Sequence, residues 1–195
     1  MRVLMVYCHP VPESFAAALR DVTLGALKKA GHEVELLDLY ALGFDPVISA
    51  EEHRAYLNTT MENHPLQDHA KLLAWCEALV FVYPTWWYGL PAMLKGWLDR
   101  VWTPGTTFEL RDEPGPIKSK VGHIRKIGVV NTCGAGRWYS FLIGQPGRKT
   151  LLRGVRVLCA SACRTLWLAH YSMDTSTPES RAAFMAKVER RFSKF

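Results

Sequence analysis

Short, mostly apolar runs alternate along the chain with segments in which apolar residues recur every three or four positions. The short runs predict strands over residues 2–7, 33–38, 78–83, 126–132 and 156–162. The first of them, RVLMVY, is largely apolar and β-branched, which is typical of a strand buried on both faces of a sheet. The chain therefore predicts five strands separated by helical segments.

The segments between the strands carry signals of helix ends. Ser14 can cap a helix that includes Phe15 and Leu27, and Gly31 is a suitable stop for it. Pro91 suits the first turn of a later helix, because the first turn leaves its N–H groups without intrahelical partners. Further helices are predicted over 51–57 and 65–78, from 139 onward, and over 178–195.

This order of elements predicts an α/β fold. Strands that alternate with helices form a parallel sheet with helices on both faces, a three-layer α/β/α sandwich. Five strands favour the flavodoxin-like order 2-1-3-4-5. We expect one domain over 1–195, in which the proline- and glycine-rich segment 103–125 is an inserted loop or hairpin.

Composition excludes several classes of protein. The 195 residues are 49% apolar, which a disordered chain would not be. The most apolar stretch, 72–94, is interrupted by Glu77, Pro84 and Pro91, so no membrane insertion is expected. The apolar run after Arg2 is too short for an export signal, and we expect a cytoplasmic protein.

The charged residues and the cysteines indicate which ligands and which cross-links to expect. The net charge of +6 comes from dispersed basic residues, which argues against nucleic acid and favours attraction of anionic nucleotides. Five cysteines without a CxxC pair indicate reduced thiols. On a strand, Cys159 and Cys163 would lie roughly 13 Å apart, too far for a disulfide. No Cys/His spacing suggests a metal site.

Ligands of such sheets bind beyond the carboxyl ends of the strands, which directs attention to loops 8–14, 84–90 and 132–139. In the first loop, the free N–H groups at the start of the helix attract a phosphate, and His9 and Ser14 add polar groups. The glycine patterns of dinucleotide-binding and P-loop proteins are absent here. The first loop therefore predicts a phosphate site of another kind.

The other two loops add flat rings and amide donors. Trp86, Trp87 and Tyr88 are suited to stacking on a planar ligand, although an aromatic patch in a dimer interface or in the core is an alternative. In TCGAGRWY (132–139), the glycines expose N–H groups that can stabilise negative charge, and Tyr139 adds a phenol. A flavin mononucleotide unit needs a phosphate site, a flat apolar surface and hydrogen bonds at one ring edge.

The residues of these loops resemble those of the flavodoxin-like NAD(P)H:quinone oxidoreductases. The similarity covers nearly the whole chain and is strongest in ALKKAGHEVELLDLYALGFDPVIS (about 27–49), PTWWYGLPAMLKGWLDRV (84–101) and TCGAGRWYS (132–140). The resemblance implies an enzyme that passes two electrons as hydride from NAD(P)H through a flavin, FAD or FMN, to a quinone-like acceptor in ping-pong fashion. It also implies a homodimer.

The resemblance implies roles for individual residues. Tyr139, Gly134 and Trp87 would be catalytic, and Tyr88 and Trp138 would line the acceptor pocket. Arg181 would lie near the adenine end of FAD. The residues that would bind the flavin are His9, Ser14, Phe15, Pro84, Thr85, Trp86, Trp87, Tyr88, Thr132, Gly134, Tyr139 and Arg181.

The chain also departs from the family at three positions. Ala16 stands where the family has an asparagine beside the phosphate, and Cys133 replaces the first of two glycines. Gln145 stands where a histidine assists the tyrosine that corresponds to Tyr139. Two other functions remain open: a regulatory flavoprotein subunit of a potassium-efflux transporter, and a flavodoxin-type electron carrier. The choice between NADH and NADPH is also open.

Overall fold

The computed structural model describes residues 1–110, 115 and 117–195. The described residues form seven strands: β1 (Arg2–Tyr7), β2 (Glu33–Asp38), β3 (Ala78–Thr85), β4 (Phe108–Glu109), β5 (Lys118–Ser119), β6 (Lys126–Cys133) and β7 (Arg164–His170). The α-helices are α1 (Phe15–Lys29), α2 (Ala50–Ala55), α3 (Gln67–Trp75), α4 (Ala92–Val101), α5 (Arg137–Leu142), α6 (Pro146–Lys149) and α7 (Pro178–Phe192). A π-helical turn follows α6 at Thr150–Val155, and 3₁₀ turns lie at Tyr56–Asn58, Arg156–Leu158 and Met173–Thr175.

Five strands form one parallel sheet in the order β2-β1-β3-β6-β7. Counted along the sheet strands alone, this is 2-1-3-4-5, so the predicted fold class is confirmed. Adjacent strands are in register, with Val3 opposite Ala78 and Ala78 opposite Lys126. Because all five strands run the same way, the loops after β1, β3, β6 and β7 meet at one edge of the sheet. We call this edge the rim.

Two hydrophobic layers cover the sheet. On one face, α1 and α7 pack through side chains such as Leu19 and Val188 against the inward residues of β1, β3 and β6. On the other face, α3, α4 and the 150–158 segment pack around Trp97 and Leu151. Covered on both sides, β3 is buried from Ala78 to Pro84, which explains its almost continuous apolar run.

Helix α1 begins and ends at the residues that the sequence indicates. The Ser14 hydroxyl accepts a hydrogen bond from the N–H of Ala17 at 3.1 Å. At the other end Gly31 has φ +79°, and the N–H of His32 donates to the carbonyl of Leu27 at 3.1 Å. This Schellman ending requires a residue with positive φ, which glycine adopts without steric cost. The Ser14 cap sets the N-terminus of α1 at the end of the first loop, and Gly31 sets its C-terminus.

The predicted fifth strand at 156–162 is wrong. That segment continues a helical region, and the strand lies later, at Arg164–His170, paired with β6. Leu151, Val155 and Cys159 are buried at a spacing of four, the period of a helix rather than of a strand. β-Branched residues in VRVLC favour a strand locally, but burial of one helical face overrides that preference.

The five cysteines are all buried and unpaired. Cys159 and Cys163 are not on one strand, since Cys159 ends a 3₁₀ turn and Cys163 precedes β7. Burial raises the pKa of the Cys8, Cys76 and Cys159 thiols to about 12. These thiols are therefore protonated at neutral pH and behave as small apolar side chains.

Two short strands lie within the segment 103–125. Phe108 of β4 pairs with Ser119 of β5, and Glu109 pairs with Lys118, in antiparallel orientation. Lys118 Nζ also lies 2.7 Å from Glu109 Oε2. Among the helices of the described residues, none is both long and apolar enough to cross a membrane.

Candidate functional site

Direct ring contacts join the three predicted loops at the rim. The His9 ring of the first loop lies 6.3 Å from the Trp86 ring of the second loop, between centroids. The Tyr88 ring of the second loop lies 6.1 Å from the ring of Tyr139, the last residue of the third loop. Because β1, β3 and β6 are neighbours in a parallel sheet, the loops that follow them lie next to one another. The rim is therefore one continuous surface.

The first loop presents the N-terminus of α1. The N–H of Val11 lies 3.0 Å from Nδ1 of His9, and the Val11 carbonyl oxygen lies 3.3 Å from the same nitrogen. Desolvation by burial lowers the pKa of His9, so the neutral ring predominates at pH 7. The first helical turn leaves free N–H groups that favour an anion. The candidate anion site therefore rests on amides and a hydroxyl rather than on a charged histidine.

The second loop is a tight turn built from aromatic residues. Trp86 and Gly89 form an antiparallel bridge, and the N–H of Gly89 donates to the Trp86 carbonyl at 2.9 Å. The two residues between them, Trp87 and Tyr88, have φ of +47° and +61°. A two-residue turn with positive φ at both central positions normally takes Asn-Gly. Trp87 is 95% exposed, so its own burial does not offset this strain.

Backbone strain concentrates at the rim. Among the described residues, the non-glycine residues with positive φ are Trp87, Tyr88, Gln145 and Ser172. Gln145 precedes α6, which contacts the second loop through Gly147, where an added Cβ would lie 3.2 Å from the backbone of Gly89. Ser172 follows β7, and its N–H donates to the carbonyl of Ala135 at 3.2 Å. Clustering of such conformations is typical of ligand-binding sites.

The third loop places a glycine against a carboxylate. A Cβ at Gly134 would lie 2.7 Å from Oδ2 of Asp174, so a larger residue would have to displace that carboxylate. Thr132, at the end of β6, is buried beside Pro84 of β3. Tyr139 is 54% exposed and points to Tyr88, and desolvation together with this neighbouring phenol raises the pKa of Tyr88. Two phenols thus lie side by side where the second and third loops meet.

The remaining predicted residues lie at the margins of the rim. The Phe15 ring packs edge-on against His170 at 5.4 Å and lies 6.4 Å from Phe184 of α7. Arg181, one turn before Phe184, donates to the Ser176 hydroxyl at 2.9 Å. Trp138 is exposed and stacks on Phe141, with centroids 5.9 Å apart. The structure therefore brings His9, Trp86, Tyr88 and Tyr139 together and leaves Trp138 outside that cluster.

A small cavity lies behind the rim and is lined by residues that the sequence did not identify. It offers about 20 Å³ to the centre of a water-sized sphere, which is room for one water molecule. Three buried polar atoms without a partner belong to its lining residues: the Tyr83 hydroxyl, Asn131 Oδ1 and Trp167 Nε1. Asn131 Nδ2 donates to the Thr85 hydroxyl. Alternation along β3 and β6 puts Tyr83, Thr85 and Asn131 on one face, a signal available in the sequence.

A hydrogen-bonded chain closes the far side of this cavity. Arg148 donates to Gln145 Oε1 at 3.0 Å, and Gln145 Nε2 donates to the Tyr171 hydroxyl at 3.1 Å. The Arg148 guanidinium also lies 5.7 Å from the centre of the Trp167 ring. Trp167 lies in β7 and Tyr171 directly follows it. Neither residue was predicted from the sequence, because the fifth strand was placed at 156–162. Within the described residues, no group of three His, Cys, Asp or Glu side chains is arranged to hold a metal ion.

Comparison with known proteins places this rim in context. A family model described as flavodoxin-like fold matches residues 1–194. The rat NAD(P)H dehydrogenase [quinone] 1 is 32% identical over an alignment 158 residues long, and the match covers 71% of this chain and 56% of the rat protein. The chain spans about half the length of the relatives that it matches by sequence.

Solved structures agree over the full chain. Smu.1420 from Streptococcus mutans UA159 superposes with a TM-score of 0.84 at 26% identity and covers 100% of both chains. The NAD(P)H:quinone oxidoreductase from Methanothermobacter marburgensis superposes with a TM-score of 0.83 at 24% identity and covers 99% of this chain and 98% of its own. At these identities, the second likeness establishes the fold alone.

Proposed function

The chain belongs to the flavodoxin-like fold family, and on that premise we propose that it is a flavin-dependent NAD(P)H dehydrogenase that reduces quinones or similar acceptors. The observation that carries this proposal is the contact of His9 with Trp86 and of Tyr88 with Tyr139, which makes one site of three loops. The name of the rat relative supports the same activity.

The residues at the rim fit a flavin. The capped N-terminus of α1 offers amides and the Ser14 hydroxyl to a phosphate. The exposed faces at Trp86 and Trp87 offer a flat apolar surface to the ring system. Gly134 allows close backbone approach beside Thr132, and its N–H group can reach an oxygen at the ring edge. The three requirements of a flavin therefore fall on three adjoining loops.

A bound flavin would accept two electrons from NAD(P)H and pass them to the acceptor, and the chain positions the reactants. Trp87 and Tyr88 would form one wall of a pocket that nicotinamide and acceptor occupy in turn, which implies ping-pong kinetics. The amide of Gly134 would stabilise negative charge at the ring edge. The Tyr139 hydroxyl, beside Tyr88, would hold a proton at the same edge.

Gln145 replaces the ionisable partner that the resemblance assigns to Tyr139. An amide cannot supply a proton near neutral pH, but it can orient one. Here Gln145 accepts from Arg148 and donates to Tyr171, so its orientation is fixed from both sides. We infer that the proton needed by the acceptor comes from a phenol or from solvent, and that Gln145 positions Tyr171.

A second chain would complete the site. Exposed apolar side chains line α5 and its C-terminal end, namely Trp138, Tyr139, Leu142 and Ile143. Such a patch beside a ligand site is typical of an interface. We propose that a second copy of this chain covers it and closes the acceptor pocket.

The experiment that tests the function is anaerobic reduction of the purified protein. The cofactor would first be released and identified by mass as FMN or FAD. We expect NADH or NADPH to bleach the flavin absorbance, and menadione to restore it. Parallel lines in double-reciprocal plots would support the ping-pong order. A protein that stays colourless after incubation with both flavins, or a bound flavin that neither nucleotide bleaches, would contradict the proposal.

A further inference from the structure

The basic residues are spread along the chain, whereas the acidic residues are not. Residues 114–173 contain ten Lys and Arg residues and no Asp or Glu. The rest of the chain holds the other 14 cations and all 18 acidic residues, and so carries a net charge of −4. Because 114–173 includes β6, α5, α6 and β7, the excess lies on one side of the sheet. Some of these cations, such as Lys126 and Arg164, begin their strands at the end of the sheet opposite the rim, whereas Arg148, Lys149 and Arg153 lie in and just after α6.

A groove within this basic region runs along α6 and the edge strand β7. It offers about 450 Å³ to the centres of water-sized spheres, a volume in the range of ligand pockets. Three cations line it: Arg148, Lys149 and Arg153. No carboxylate lines it within the described part of the chain, and Lys149 and Arg153 form no ion pair with any described residue.

The groove is amphipathic rather than purely basic. Phe141, which is 64% exposed, and the half-buried Leu152 form its apolar part. A phosphate alone would not use these side chains, whereas a ligand with phosphates and a flat apolar base would. Cations with an adjoining aromatic ring suit a nucleotide through charge and stacking.

The groove adjoins the proposed catalytic pocket. Gln145 and Arg148 line both the groove and the cavity behind the rim, whose other walls include Thr85 and Tyr88. The cavity holds only one water molecule and the Arg148–Gln145–Tyr171 chain closes it, so a molecule with its reactive ring on the outer side of Tyr88 would reach the groove over the outer surface of Gln145 and Arg148. The direction leads away from the α1 N-terminus, where the flavin phosphate would lie.

We propose that this groove binds the adenosine phosphate portion of the dinucleotide donor, with Lys149 and Arg153 on its phosphates and Phe141 against its base. This inference rests on the proposed function and assigns the substrate class of the same site. It predicts a preference for NADPH over NADH, because an additional phosphate meets cations that no described acid neutralises.

The test compares three hydride donors on Arg153→Glu and Lys149→Glu. The donors are NADPH, NADH and the uncharged N-benzyl-1,4-dihydronicotinamide, which lacks the adenosine phosphates. Lys187→Glu, on the opposite face in α7, reverses the same charge and is the matched control. We expect each groove variant to lower kcat/KM for NADPH at least about tenfold and for NADH less, with the uncharged donor and the control unchanged.

Several outcomes would overturn the assignment. Equal losses with all three donors, or no loss with NADPH, would place the nucleotide elsewhere. A loss confined to an anionic acceptor, a naphthoquinone sulfonate compared with menadione, would show that the groove serves the acceptor.

Direct titration with NADP⁺ separates the groove from catalysis. If wild-type protein oxidises no donor, the proposed function fails, but calorimetry still tests the groove. Tighter binding of NADP⁺ to wild type than to Arg153→Glu, weakening with salt, supports the groove. Equal affinities would overturn it.

Discussion

Trp97 and Trp87 are ten positions apart, but one is buried in the core and the other is exposed at the rim. Trp97 of α4 is fully buried, packs edge-on to Phe81 at 6.3 Å and donates from Nε1 to His69 Nδ1 at 2.9 Å. Trp87 is almost fully exposed on a backbone with φ +47°. The Trp97 ring stabilises the core that covers the sheet. The Trp87 ring stays exposed although its positive φ strains the backbone. We therefore expect substitutions in the core to change mainly the free energy of unfolding, and substitutions at the rim to change mainly ligand binding.

The largest effect on stability is expected at the core. Trp97→Ala should lower the free energy of unfolding by about 3–5 kcal/mol, because it leaves a cavity and an unpartnered His69. Trp97→Phe keeps most of the volume and should lose less. Guanidinium unfolding followed by circular dichroism measures both. A loss below about 1 kcal/mol for Trp97→Ala would show that α4 repacks.

A smaller loss is expected where α4 meets the segment after β2. A Cβ at Gly96 would lie 2.6 Å from the Pro46 Cα and still closer to its carbonyl oxygen. Gly96→Ala should therefore cost about 1–3 kcal/mol despite the higher helix propensity of alanine. Gly25→Ala in α1, where an added Cβ meets nothing within 4 Å, is the matched control and should be neutral or stabilising. Equal unfolding midpoints would contradict the close contact.

Ser14 links the two regions, because it caps α1 and faces the proposed phosphate. Ser14→Ala should lower stability by about 1 kcal/mol and also weaken flavin binding. Ser14→Asp keeps the cap, so its stability should stay near wild type, but its negative charge should repel the phosphate. Unfolding curves and flavin fluorescence titration measure the two effects. A Ser14→Asp variant that binds flavin as tightly as the wild type would show that the flavin phosphate does not bind near Ser14.

The smallest effect on stability is expected at the exposed ring. Trp87→Ala should change the free energy of unfolding by no more than about 0.5 kcal/mol, because the side chain buries almost nothing. The same variant should bind flavin more weakly by about tenfold, since a stacked ring contributes on the order of 1 kcal/mol. A stability loss like that of Trp97→Ala would show that the ring is covered in solution.

The sequence was sufficient for most of the fold and for part of the site. β1, β2, β3 and β6 are apolar runs between clear turn signals, and the caps of α1 depend on local residues alone. The later strand failed because VRVLC has β-branched residues within a helical burial pattern, and the edge strand RTLWLAH is less apolar. The loops next to correct strands were found, whereas Trp167, Tyr171 and Arg148 were not. Those three act through contacts distant in sequence, which local patterns do not encode.

A crystal structure of the protein with saturating FMN or FAD tests the central claim most directly. We expect the phosphate at the first turn of α1 near Ser14, and the ring system between the Trp86–Tyr88 turn and the loop that holds Gly134. A flavin bound at another surface, or a rim without flavin density at saturation, would contradict the account.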